Sequence, residues 1–113
     1  MVTIYHNNRC SKSRQALELL QKHGQEVKIV PYLTATPSVE ELREVLAKLQ
    51  LGPEDILRKG EKLYKEVYAT QHLTPEEWLQ VLAQNPVLIE RPIVVNGEKA
   101  VIGRPPENVL SIL

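Results

Sequence analysis

Thr3-Ile4-Tyr5-His6-Asn7-Asn8-Arg9-Cys10-Ser11-Lys12-Ser13-Arg14-Gln15-Ala16-Leu17-Glu18-Leu19-Leu20 changes pattern twice. Thr3-Ile4-Tyr5 is a β-prone run, residues 6–10 are polar, and Ala16, Leu17, Leu19 and Leu20 recur at helical spacing. A short strand therefore hands over to a helix across residues 11–23. The helix has its N-cap at or near Cys10 and its stop at Gly24. Val27-Lys28-Ile29-Val30 alternates as a second strand before Pro31. A strand-helix-strand unit of this kind is parallel and right-handed.

Beyond it, Ser38-Val39-Glu40-Glu41 and Thr74-Pro75-Glu76-Glu77 read as capping boxes. The first opens a helix carrying Val39, Leu42, Val45, Leu46 and Leu49 as far as Gly52. The second opens one carrying Trp78, Leu79, Leu82 and Ala83 as far as Asn85-Pro86. Pro53 suits the start of a short helix over residues 54–58. Ile93-Val94-Val95 and Ala100-Val101-Ile102 flank Asn96-Gly97, a hairpin signal that predicts an antiparallel pair. Pro105-Pro106-Glu107 can open a last helix with Val109, Leu110, Ile112 and Leu113. The expected architecture is α/β: a mixed four-stranded sheet ordered β-α-β, helical insert, β-β-α, with helices packed on it. It forms one domain over residues 1–113 with the insert at about 38–86.

The composition of the 113 residues is that of a globular chain, with 42% hydrophobic and 25% charged residues. A chain this long buries roughly two-thirds of its unfolded surface without staples. Phe is absent, so Leu, Val and Ile must fill the core. Apolar runs never exceed three residues, against the roughly 20 that span a bilayer, so no transmembrane helix and no membrane partner is expected. The first residues lack the basic and apolar regions of a signal peptide, which favours a cytoplasmic location. Zero net charge argues against nucleic acid as a partner. That zero is uneven: residues 1–37 carry +3, residues 38–90 carry −4 and residues 91–113 carry +1.

The single cysteine, Cys10, cannot close a disulfide within the chain, so any second sulfur comes from another molecule. At a strand-to-helix junction it faces unpaired N–H groups and the positive helix end. Arg9, Lys12 and Arg14 add cations, and Ser11 and Ser13 add hydroxyls. These features favour thiolate over thiol. A lone cysteine is more often a buried structural residue, but this one has no apolar neighbours in sequence from which to build such a pocket. The same features bind oxyanions, and arginine offers forked donors to them. Arg58, Arg91 and Arg104 are candidate clamps, the last two at the entry and exit of the hairpin. His6 is a residue that orients the Cys10 loop, since His6, His23 and His72 lack metal-ligand spacing and no metal site is expected. Tyr64 and Tyr68, four apart, read as packing.

The chain resembles the glutaredoxin-coupled arsenate reductase family almost end to end. The matching segments are Ile4-Tyr5-His6-Asn7 leading to Cys10, Ser13-Arg14, Leu57-Arg58-Lys59, Asn85-Pro86, Arg91-Pro92-Ile93-Val94-Val95, Arg104-Pro105 and a terminal Val109-Leu110-Ser111-Ile112-Leu113. The resemblance implies a thioredoxin-like fold, with Cys10 as nucleophile. Arg58, Arg91 and Arg104 bind the oxyanion, His6 and Ser13 keep Cys10 ionised beside Arg14, and Pro92 is the cis proline next to the thiol. Asn8 stands where family members commonly have proline, so it retains an N–H and a freer φ.

The expected activity is arsenate reduction with glutathione as co-substrate, glutaredoxin as partner and no tightly bound cofactor. The alternatives are a glutathione-dependent thiol reductase acting on another substrate and a non-catalytic interaction module of the Spx type. Spx-type relatives commonly carry a C-x-x-C pair, whereas here the segment is Cys10-Ser11-Lys12-Ser13.

Overall fold

A computed structural model describes residues 1–113. The elements are β1 (Val2–Tyr5), α1 (Ser11–Lys22), β2 (Val27–Val30), α2 (Val39–Leu49), α3 (Pro75–Gln84), β3 (Ile93–Asn96) and β4 (Lys99–Ile102), with short helical turns elsewhere. They fall into two compact units, one of Met1–Ala35 with Arg91–Leu113 and one of Thr36–Glu90. Eight Lys/Arg and four Asp/Glu give the first unit a net +4, and six against ten give the second −4.

In the first unit the strands are ordered β2-β1-β3-β4. β1 and β2 are parallel with Val2 opposite Val27, whereas β3 is antiparallel to β1 with Ile4 opposite Val94. β3 and β4 form the expected hairpin, Asn96 opposite Lys99, and Gly97 at φ 61° makes the left-handed turn without a Cβ clash. Alternation places Val2, Ile4 and Val94 on one sheet face, where they pack with Ala16 and Leu20 of α1 and with Val109 and Ile112. The architecture is the mixed four-stranded, thioredoxin-like sheet that the resemblance implied.

Several boundaries differ from the sequence expectation. α1 ends at Lys22, with His23 as its cap and Gly24 at φ 75° just beyond. α2 stops at Leu49 because Gln50 turns left-handed at φ 59°, with the Gln50 and Leu51 N–H groups donating to Ala47 O and Leu46 O, before Gly52 is reached. The short helix after it spans only Pro53–Ile56. Leu57 then pairs with Ile89 in an isolated antiparallel bridge, which takes Arg58 off any helix.

The last helix, Pro106–Ile112, is 3-10 rather than α. Its buried residues Pro106, Val109 and Ile112 recur every third position, the period at which a 3-10 helix stacks side chains. The Asn108 amide also donates to Ile102 O and Arg104 O, and the Ser111 hydroxyl donates to Asn108 O, bonds that compete with an α-helical ladder.

In the second unit Ser38 accepts from the Glu41 N–H, and Thr74 and Glu77 form a reciprocal capping box. Tyr64 and Tyr68, on one π-helical turn, pack on the buried Trp78 with ring centroids 6.5 and 6.0 Å away. Arg43 joins α2 to α3 through Glu76 at 2.6 Å. No helix of the chain is long and apolar enough to cross a membrane.

Candidate active site

The loop of residues 6–10 is held by hydrogen bonds at almost every residue. The His6 N–H donates to Val30 O at 2.8 Å, tying the loop to the end of β2. Asn7 makes an Asx turn, its Oδ1 accepting from the Arg9 N–H at 3.0 Å while its carbonyl accepts from the Cys10 N–H at 3.0 Å. The first turn of α1 reaches back: Ser13 Oγ accepts from the Asn7 N–H at 3.1 Å, and Arg14 Nη1 donates to Asn8 O at 2.8 Å. Cys10 is the N-cap of α1, with extended backbone, and its carbonyl accepts the first helical bond from the Arg14 N–H.

Opposing influences set the charge state of Cys10. Its residue is only 8% exposed, and burial by itself pushes the thiol up. The backbone N–H of Ser13, the positive charge of Arg91, the N–H of Lys12 and a hydrogen bond from Arg91 pull it down, and the net position is below the ordinary cysteine range. Arg104 Nη1 stands 3.7 Å from Cys10 Sγ and 3.4 Å from Arg91 O. Two of the three candidate arginines thus meet the sulfur.

The burial differs from the sequence expectation, which rested on the absence of apolar neighbours along the chain. Tertiary structure buries the thiol instead, and among polar groups. The cations that act on it also come from residues 91–113 rather than from Arg9, Lys12 and Arg14. Lys12 contributes its N–H, and the guanidinium of Arg14 is spent on Asn8 O.

His6 meets the loop rather than the sulfur. Its Nδ1 lies 2.6 Å from Oγ of the fully buried Ser13, and burial followed by the positive charge of Arg14 holds its pKa below the ordinary histidine value. Both influences favour the neutral imidazole. Ser13 therefore supports the thiolate through its backbone N–H, while its hydroxyl organises Asn7 and His6.

The Arg91–Pro92 bond is cis, and so is Arg104–Pro105, which nothing in the sequence reading anticipated. Gly103 lies between these segments and donates its N–H to Pro92 O at 2.8 Å. A Cβ on Gly103 would stand 2.9 Å from Pro92 Cγ and 3.2 Å from Val109 Cγ1, so only glycine allows this approach. Sequence reasoning missed it; its position between β4 and Arg104 was the available signal. Arg58 belongs to the second unit, where Nη1 donates to the Glu61 carboxylate and to Val87 O at 3.4 Å. Glu61 was likewise not singled out.

A buried thiol whose titration is drawn below the ordinary range, with two guanidinium groups beside it, can in its ionised form attack an oxyanion while the arginines hold the charge of the adduct. A family model described as the ArsC family matches residues 5–112. An arsenate reductase of Haemophilus influenzae is 45% identical, covering 99% of this chain and 98% of that protein. The uncharacterized protein YfgD of Escherichia coli is 46% identical, covering 99% and 96%. Among solved structures, an arsenate reductase from Vibrio cholerae superposes with a TM-score of 0.95 at 45% identity, covering 99% of this chain and 97% of that one.

Proposed function

Because the chain belongs to the ArsC family, we propose that it reduces arsenate, with Cys10 as the nucleophile and glutathione and a glutaredoxin as the sources of electrons. The observation that carries this reading is the Cys10 sulfur, whose titration two backbone N–H groups and Arg91 draw below the ordinary cysteine range, with Arg104 Nη1 at 3.7 Å. Arsenate, a tetrahedral anion, docks against the α1 N-terminus and the guanidinium groups of Arg91 and Arg104, while Arg58 is an oxyanion-binding arginine on the family resemblance alone. The thiolate attacks arsenic, a sulfur–arsenic bond forms and one oxygen leaves as water after protonation. The arginines hold the charge as it redistributes.

The chain has no second cysteine, so the next thiol arrives from solution. Glutathione adds to the Cys10-bound arsenic and displaces a further oxygen as water. A glutaredoxin thiolate then takes the glutathionyl group as a mixed disulfide. The electron pair of the broken sulfur–arsenic bond stays on arsenic, which falls from the pentavalent to the trivalent state. Hydrolysis of the remaining bond releases arsenite and restores Cys10.

The test is arsenate-dependent oxidation of glutathione, coupled through glutaredoxin, in the wild type and in Cys10→Ser. Turnover in the wild type and none in the variant is the expected result. Absence of arsenate turnover in the wild type overturns the reading; glutathione-linked disulfide reduction persisting in that case marks a thiol reductase with another substrate.

A further inference from the structure

We propose that Arg14 is the positioning residue of the Cys10 loop: its guanidinium, donating from Nη1 to Asn8 O, clasps the loop to the first turn of α1 and so sets where the Cys10 sulfur lies. The geometry isolates this role. Of the other bonds that hold residues 7–10, three close within the loop or on Ser13, namely Asn7 N–H to Ser13 Oγ, Arg9 N–H to Asn7 Oδ1 and Cys10 N–H to Asn7 O. A fourth is the helical bond from the Arg14 backbone N–H to Cys10 O, which leaves the loop tip unheld. The carbonyl of Asn8, at the outer tip, is held by Arg14. Asn8 and Arg9 are both exposed, so no packing would replace that bond if it were lost.

The sulfur depends on the loop because, beside Arg91, the groups that pull its titration down are the N–H groups of Ser13, the largest such influence, and of Lys12, on the same turn that Arg14 joins. Hydrogen bonds to a thiolate weaken steeply with distance and angle, so a loop that drifts by a fraction of an ångström loses part of that stabilisation. Arg14 is not among the charges that act on Cys10 directly; those near the sulfur are Arg91 and Arg104. The charge of Arg14 acts instead on His6, which faces Ser13 Oγ. Geometry and charge therefore have separate readouts. Losing the Nη1 bond to Asn8 O loosens the loop and raises the Cys10 titration, whereas losing the charge raises the His6 titration.

Arg14→Lys keeps the charge but ends one bond short of the position from which Nη1 donates to Asn8 O, and Arg14→Ala removes both charge and donor. Cys10 is followed by alkylation rate against pH, His6 by its imidazole NMR signals, and the loop by amide exchange at Arg9 and Cys10. Lys22→Ala, at the far end of α1, controls for loss of a cation. The expected result is that both Arg14 variants raise the Cys10 midpoint by about half a unit, lowering the alkylation rate about threefold at pH values well below that midpoint, and speed exchange at Cys10. Only Arg14→Ala raises the His6 midpoint. An unchanged Cys10 midpoint in Arg14→Ala overturns the proposal, and so does a wild-type midpoint and exchange rate in Arg14→Lys, which would assign the effect to charge alone. These readouts need no arsenate, so they stand or fall separately from the proposed activity.

Discussion

Arg104 Nη1 approaches Cys10 Sγ to 3.7 Å across 94 positions of sequence, and the same nitrogen reaches Arg91 O at 3.4 Å. The contact joins the N-terminus of α1 to the segment that leaves β4. It follows from the central place of β1, which pairs with β2 on one side and β3 on the other.

The thiol should titrate below the free-cysteine value of about 8.5 when alkylation rate is measured against pH. Arg91→Gln should move the midpoint up, since Arg91 supplies both charge and a hydrogen bond. A wild-type midpoint at the free-thiol value would remove the activation on which the nucleophile assignment rests.

Arsenate turnover separates the arginines. Arg58→Ala, Arg91→Ala and Arg104→Ala should each lower kcat/KM by about tenfold or more, the scale of losing one charge-assisted contact of roughly 1.5–3 kcal/mol. Arg43→Ala, whose guanidinium bridges Glu40 and Glu76 in the second unit, should leave it near wild type. Equal losses at all four positions would refute the clamp.

Gly103→Ala should destabilise the protein by about 1–3 kcal/mol in urea titration, because the added methyl meets Pro92 and Val109 in a packed core. Turnover should fall as well, since Pro92 and Arg104 adjoin the displaced atoms. A variant with wild-type stability and turnover would show that this contact relaxes without consequence.

His6 predicts a pH dependence of stability. The folded state resists its protonation and the unfolded chain does not, so the unfolded chain takes up the proton first as pH falls through about 6.5. Stability should therefore decline below that value through His6 and be unaffected by it above. His6→Gln should flatten the slope of unfolding free energy between pH 7 and pH 5.5 relative to wild type, measured in urea; an identical slope would assign the dependence to other groups.

Much of the fold was legible along the chain. The strand-helix-strand opening, Cys10 at the α1 N-cap, the Asn96-Gly97 hairpin and the Ser38 and Thr74 caps rest on bonds and periodicities within a few residues, and these survive into the structure. The 3-10 form of Pro106–Ile112 was less legible, because the three-residue period competes with an equally apolar α-helical reading until burial selects one. Arg58 could be named but not placed: Glu61 is a local partner three residues on, but Val87 is brought to it only where Leu57 pairs with Ile89.

The sequence by itself determined where the single thiol would sit, at the start of a helix after the first strand, because backbone N–H groups and cap chemistry are local. Tertiary structure decided which cations reach it, how deeply it is buried and why residue 103 must be glycine. Those depend on strand order and on close approach between segments far apart in the chain, relationships that no spacing of residues encodes.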